Sequence, residues 1–425
     1  MREDIRETRL ANGLTVLTDR MEGVRSATLG FFFRVGSRNE PAELGGISHF
    51  IEHAVFKGTS RRSAIEIARE QDRLGGNLDA FTTHEETGFA IKVIDDQLPA
   101  AFALIAEMLT DPRFDEADLE SEQRVIIEEM KMIDDSPEEY LGDIFHREFF
   151  PGHPLGLSIA GTPETVRTFG NEKTRAYHAA AFAPQNLVIT AAGNVEHDAI
   201  AELAGRLEFR SANGSGPSLV PLASPQMAAP IVIEHKPELE QAHLIIATPF
   251  VDARDERRYA ADLLANAIGG GTSSRLWQKV REERGLAYSV GASALLFSDC
   301  GMFMVSAATS PEQVEEVVDI VLDEMRWIVR NGVSADEIKL MKDQTRASIL
   351  LGLEDSAGRA GSLASMEMLH GRQIPVEETL EKVEAVSEED VKGLAEEFFK
   401  TEKIALAALG DLSDVVITRE RISLD

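Results

Sequence analysis

The sequence predicts a tandem duplication of one mixed helix-and-strand unit. Residues 87–93 read as a strand, followed by a helix at about 98–109 and a second helix over 116–135 with apolar Leu119, Val125, Ile126, Met130 and Ile133 at helical spacing. The same order returns as a strand at 300–305, a helix at about 311–329 and another helix opening at 333–336, offset by about 215 residues. Between the copies, residues 211–230 are rich in Gly, Pro, Ser and Ala and carry neither periodicity, as a linker does. The expected domains are therefore 1–210 and 231–425, joined by 211–230. Further strand-like stretches lie at 14–18, 28–35, 187–191 and 404–409.

Composition fits a folded enzyme-sized chain. At 425 residues two or more domains are expected, and 43% apolar residues can fill their cores. The one cysteine, Cys300, excludes an intrachain disulfide and fits a reducing compartment; its apolar surroundings suggest a buried structural thiol. The opening residues Met1 to Arg6 contain no apolar signal core, and no run approaches ~18 apolar residues, so neither a signal peptide nor a membrane span is expected. The expected location is cytoplasmic. A net charge of −30 argues against nucleic acid as a partner, since phosphate binding needs a basic face. The acidity serves solubility first; a sharper reading is a negative cavity that favours cationic peptides.

His49, Glu52 and His53 carry the chemistry. On a helix, positions i, i+3 and i+4 lie side by side, so the three share one face. Two neutral imidazoles at that spacing can hold one metal ion and leave room for a carboxylate and water, with Glu52 beside the water as general base. Read alone, the pattern also fits a surface helix end with two unrelated histidines. A third ligand should come from another element. Glu122 and Glu129 lie seven residues apart on nearly one face of the 116–135 helix, though on composition alone the acidic neighbours make a solvated face the favoured reading for either.

The run Gly45 to Thr59, with His49-Phe50-Ile51-Glu52-His53 at its centre, closely resembles the pitrilysin/insulysin-type inverzincin metallopeptidases, and within them the short-chain branch that includes mitochondrial processing peptidase subunits. The resemblance implies one Zn2+ per chain, held by His49, His53 and Glu129, with Glu52 as base and Glu122 at the family's additional important glutamate. Residues 75–87 resemble the family's substrate-binding edge strand, which points to Asp79, Ala80, Phe81 and Thr82. Asp79 departs from the usual Asn. An extended peptide can add to such an edge through main-chain hydrogen bonds. His84, in the same stretch, reads as structural.

Residues 269–290 resemble the family's C-terminal signature, in which an Arg and a Tyr contact substrate and transition state; Arg281 and Tyr288 match them. An Arg can bind a backbone carbonyl and a Tyr hydroxyl an oxyanion. Without the resemblance, an exposed helix arginine and a half-buried strand tyrosine would be the simpler readings. The glycines at 269–271 lack a phosphate-loop pattern and read as a tight turn. Aligning Gly45-Gly46 with Gly270-Gly271 sets Ser274 and Gln278 opposite the histidines, and aligning the later helices sets Ala347 opposite Glu129, so the second copy is expected to hold no metal. Segments at 153–156, 161–162 and 183–188 also match, and similarity spans about residues 5 to 410.

By this resemblance each half is an α+β domain, a mostly antiparallel sheet of about six strands against helices, and the halves close as a clamshell. The implied function is a zinc-dependent endopeptidase acting on short or unfolded peptides. The alternative is a peptide-binding, non-catalytic or partner-dependent subunit of a processing-peptidase-like complex. With both the metal half and the Arg281/Tyr288 half in one chain, a homodimer is expected, with those two residues acting in trans.

Overall fold

A computed structural model describes residues 3–209, 220–221 and 223–424; most of the first half of the 211–230 linker lies outside the described residues. In chain order the elements are β1 (Ile5–Arg9), β2 (Thr15–Arg20), β3 (Ser26–Phe33), α1 (Ile47–Ala54), α2 (Ala64–Leu74), β4 (Leu78–Thr82), β5 (Thr87–Ile94), α3 (Leu98–Thr110), α4 (Glu116–Asp135), α5 (Pro137–Phe149), α6 (Pro163–Val166), α7 (Asn171–Ala181), β6 (Leu187–Gly193) and α8 (His197–Gly205). After the linker come β7 (Ile231–His235), β8 (Ala242–Phe250), α9 (Arg258–Gly269), a π-helical turn (Trp277–Glu282), β9 (Ala287–Leu296), β10 (Gly301–Thr309), α10 (Val314–Asn331), α11 (Ala335–Gly352), α12 (Ser356–His370), α13 (Val376–Ala385), α14 (Glu388–Phe398) and β11 (Ala405–Gly410). No helix among the described residues is long and apolar enough to cross a membrane.

Both halves are α+β. The first sheet has six strands in the order β1-β2-β6-β3-β5-β4, and the second has five in the order β7-β11-β8-β10-β9. Among the described residues only β2–β6 and β7–β11 pair in parallel. The second sheet is one strand short of the expected six because no described strand flanks β7 as β1 flanks β2.

The element order also corrects the alignment of the copies. The series β3-α1-α2-β4-β5-α3-α4 is matched by β8-α9-π turn-β9-β10-α10-α11. The counterpart of α1 is therefore α9, and the 270–278 segment stands where α2 stands, directly before an edge strand. Paired glycines mark turns in both halves, but not the same turn.

Two compact units result, and they do not follow one cut in the chain. Unit 1 comprises Met1–Lys131, Leu157–Leu222 and Leu350–Pro375; unit 2 comprises Met132–Gly156, Ala223–Ile349 and Val376–Asp425. The single boundary drawn at 211–230 thus marks only one of several crossings. The physical reason lies in the sheets. A sheet has two faces to cover, and each half covers its own outer face with a helix from the other half, α12 in unit 1 and α5 in unit 2.

The inner face of the first sheet follows the two-residue period of a strand. Leu29, Phe31 and Phe33 of β3 and Phe89, Ile91 and Val93 of β5 all enter one buried cluster with α1, α3 and α4. Phe31 meets Phe102 of α3 with ring centroids 5.2 Å apart. The outer faces differ in chemistry. On the second sheet, α5 lays Leu141, Phe145 and Phe149 against Ile245, Ala247, Met302, Ala407 and Leu409. On the first sheet, α12 is anchored largely by polar groups. Arg359 pairs with Asp19 where both side chains are almost fully buried, and Ser356 bonds Thr28 at 2.8 Å. Buried Glu367 accepts from Arg9 at 2.9 Å and Arg34 at 2.7 Å.

A buried ion pair of this kind punishes half-removal. Arg359→Met should cost about 3–5 kcal/mol by leaving Asp19 charged and unpaired, whereas the double variant Asp19→Leu/Arg359→Leu should lie much closer to wild type. Urea midpoints of the three proteins give the answer, and equal losses in the single and double variants would contradict it.

Candidate metal centre

The site begins at the start of α1. Gly46 sits just before the helix with φ +93, and a Cβ there would come within 2.4 Å of the Ala160 carbonyl oxygen. Gly161, with φ +79, presses in return against the Gly45 carbonyl, which also accepts the Thr165 hydroxyl at 2.7 Å. The helix has no cap from its own N-cap residue. Glu40 supplies one from upstream: its two carboxylate oxygens accept the backbone N–H groups of Gly46 and Ser48, each at 2.7 Å. Burial pushes the Glu40 carboxyl up to about 8, against the pull of those two donors. The Ser48 hydroxyl meets Tyr177 at 3.1 Å. Phe50 and Ile51 bury the opposite side of α1, Phe50 against Phe169 with centroids 5.3 Å apart.

With α1 held this way, His49 and His53 face α4, their rings 4.6 Å apart. Glu129 of α4 presents Oε2 at 3.9 Å from His49 Nε2 and 3.7 Å from His53 Nε2. That oxygen is buried and has no hydrogen-bond partner. Among the described residues this is the one group of three His, Cys, Asp or Glu side chains whose ligand atoms gather within 4.8 Å of one another. Tetrahedral zinc with bonds of about 2.05 Å sets its ligand atoms about 3.3 Å apart, so the three close on an ion by small side-chain rotations. Two imidazoles and one carboxylate, whose buried Oε2 is orphaned, fit zinc by donor type and spacing.

Electrostatics prepare the set. Burial, reinforced by the charge of His53, pushes His49 down to about 4, so its imidazole is neutral and its lone pair available. For His53, burial pulls the other way, but the hydrogen bond it donates to Glu122 and the charges of Glu52 and Glu129 outweigh it and raise the imidazole above its ordinary value. Glu122 is buried behind His53, with Oε1 3.2 Å from Nδ1 and Oε2 2.5 Å from Lys57 Nζ. Burial alone would raise it; the bonds to His53 and Lys57 hold it below the usual carboxylate range. This carboxylate–histidine arrangement fixes the His53 tautomer and directs Nε2 toward Glu129. Glu122 therefore sits behind His53, outside the group of three.

Glu52, 8% exposed, stands outside the three-ligand set on the same face of α1. Burial raises its carboxyl above the usual range, against a hydrogen bond from the Thr82 hydroxyl at 2.7 Å. Thr82 ends β4, an edge strand that among the described residues pairs only with β5. Ala80 of β4 packs on the core, and Phe81 lies on the other face over Gly88, 6.2 Å from Phe32. Asp79 is exposed and takes a 2.6 Å bond from Asn77. His84 contacts Ser37 at 2.9 Å and is no part of the ligand group.

Arg281 and Tyr288 belong to unit 2. The Arg281 guanidinium lies between the rings of Trp277 and Tyr288, 4.2 and 4.4 Å from their centroids, and donates to the Tyr288 carbonyl at 2.9 Å. The Tyr288 side chain is 77% exposed. Trp277 also donates to Glu282 at 3.1 Å, so the π-helical turn places Trp277 beside both residues. Sequence reasoning missed Glu40, Lys57, Tyr177 and Trp277 as supports. Lys57 and Trp277 lay inside recognised runs, but nothing in the pattern around Glu40 or Tyr177 marked either.

Residues 15–163 match the family described as Insulinase (Peptidase family M16), and residues 168–345 match the one described as Peptidase M16 inactive domain. An uncharacterized zinc protease of Streptomyces coelicolor is 36% identical over 98% of this chain and 91% of its own. One of Bacillus subtilis is 34% identical over 94% and 96%. A solved protease from Helicobacter pylori aligns with TM-score 0.86 at 21% identity, covering 96% of this chain and 99% of its own. A peptidase M16 inactive domain from Pseudomonas fluorescens aligns with TM-score 0.87 at 21% identity, covering 96% and 98%. These two structures match in fold.

The electrostatics of the ligand set predict how zinc affinity depends on pH. His49 is already neutral, so between pH 5 and 7 one proton, that of His53, should compete with the metal. The affinity should fall as pH drops, with a slope of about one in log Kd against pH; a slope near two in chelator competition would contradict the assignment. Glu122→Gln should weaken zinc binding by about 10–100-fold in the same assay.

Proposed function

We propose that this chain, which belongs to the insulinase-type peptidases of family M16, is a zinc-dependent endopeptidase hydrolysing short or unfolded peptides. One observation carries the reading: the buried, orphaned Oε2 of Glu129 converges with His49 and His53 while Glu52, on the same helix face as the histidines, stays outside the group of three. Zinc bound there would lower the pKa of a water and polarise the scissile carbonyl. Glu52, its carboxyl raised by burial, takes the water's proton and returns it to the leaving amine. Glu122 and Lys57 keep His53 oriented while charge develops. The free edge of β4 receives the peptide as an added strand, with Phe81 and Asp79 on its outer face.

Arg281 and Tyr288 complete the site. A guanidinium already stacked between two rings loses little side-chain entropy when it takes a backbone carbonyl, and the exposed Tyr288 hydroxyl is suited to an oxyanion. We place these two residues on the partner copy of a homodimer, each copy completing the other's site.

The first test incubates the purified protein with a library of unstructured peptides and reads products by mass spectrometry. Internal cleavage should vanish with a chelator, and Glu52→Gln should keep its zinc but lose about 10²–10⁴-fold in turnover. Near-wild-type turnover in Glu52→Gln would end the general-base assignment. Zinc bound with no cleavage would shift weight to a partner-dependent subunit. Mixing inactive Glu52→Gln with Arg281→Ala subunits should restore partial activity; none despite demonstrated subunit exchange would rule out action in trans.

A further inference from the structure

β4 joins two parts of the site. Its outer edge pairs with no strand among the described residues, and under the function proposed above, on which this inference rests, that edge carries the peptide. Its side chains alternate, so Leu78, Ala80 and Thr82 share the face turned to the helices while Asp79 and Phe81 share the other. At the end of that inner row the Thr82 hydroxyl donates to Glu52 Oε2 at 2.7 Å. A threonine on a substrate strand reads at first as a substrate contact. Its hydroxyl hydrogen is already committed to Glu52.

We propose that Thr82 is a positioning residue for Glu52, aiming the general base from the strand on which the peptide lies. Glu52 is buried, and no other side-chain donor is found on its carboxylate among the described residues. With Oε2 held, the terminal carboxylate torsion, otherwise broad and soft, is confined, and Oε1 is left to take the proton. The branched Thr82 side chain is itself stiff at χ1, which makes it a better holder than a flexible donor. Because Thr82 lies in the strand that gains a partner when the peptide docks, ordering β4 also orders Glu52. An empty site would hold its base less firmly than a loaded one.

The comparison uses the full-length zinc-loaded protein as wild type, Thr82→Val and Thr82→Ser. Valine keeps the shape and removes the donor; serine keeps the donor. Thr82→Val should lower kcat by about 10- to 100-fold, the scale of a hydrogen bond to a charged group. KM should stay within about twofold and zinc at wild-type content, and Thr82→Ser should recover most of kcat. Crystal structures of the zinc-loaded wild type and Thr82→Val should show the Glu52 carboxylate displaced in the valine variant. A rise in KM with kcat unchanged would make Thr82 a substrate contact and overturn the proposal, as would loss of zinc in proportion to activity. An unmoved Glu52 in the Thr82→Val crystal would overturn it whatever the kinetics. If the wild type cleaves no peptide, the endopeptidase reading falls, and the crystal comparison still decides the role of Thr82.

Discussion

The chemistry of this protein depends on where one short helix begins. α1 is eight residues long, too short to hold itself in water or to choose its own direction. Its first turn is fixed from outside, by two Glu40 oxygens on the backbone N–H groups of Gly46 and Ser48 and by the close approach of Gly46 and Gly161. Its apolar side is fixed by Phe50 and Ile51. What remains is one face with no freedom to turn, and that face carries His49, Glu52 and His53. The ligand pair inherits its precision from a carboxylate nine residues before the first histidine.

The exchange of helices makes the unit that carries His49, His53 and Glu129 depend on distant sequence. The outer face of its sheet is covered by α12, which follows the unit's own strands by more than 150 residues of chain. The polar anchoring of α12 has a consequence for register. Apolar contacts tolerate sliding, but Arg359 on Asp19 and Glu367 between Arg9 and Arg34 are satisfied in one position only. α5, seated on unit 2 by stacked phenylalanines, is held by shape and area instead. Neither half of the chain supplies both covers of its own sheet.

The units share an order of elements and differ in what the matching elements carry. α9, the counterpart of α1, has neither His nor Cys. Where unit 1 has α2 before its edge strand, unit 2 has the π-helical turn, whose extra residue per turn sets Trp277 against both Arg281 and Glu282. Duplication followed by local change explains both facts: the fold was kept, and each copy used the same position before an edge strand differently.

The sequence by itself determined whatever depends on local backbone period. His49, Glu52 and His53 share a face because 3.6 residues make a turn, and that holds in any fold; Glu122 and Glu129 likewise share one on α4. The strands β5 and β10, the helices α3 and α4, and the order in which they recur are legible for the same reason. Family resemblance joined the α1 and α4 faces into one ligand set, which spacing alone left open. Tertiary structure decided what closes in space without closing in sequence. It chose which helix covers which sheet face, which glycine turn corresponds to which, and that Thr82 reaches Glu52 and Glu40 reaches the start of α1. Each of those joins groups on separate elements, and no repeat along the chain encodes a contact that exists only once the sheet has twisted and the helices have packed.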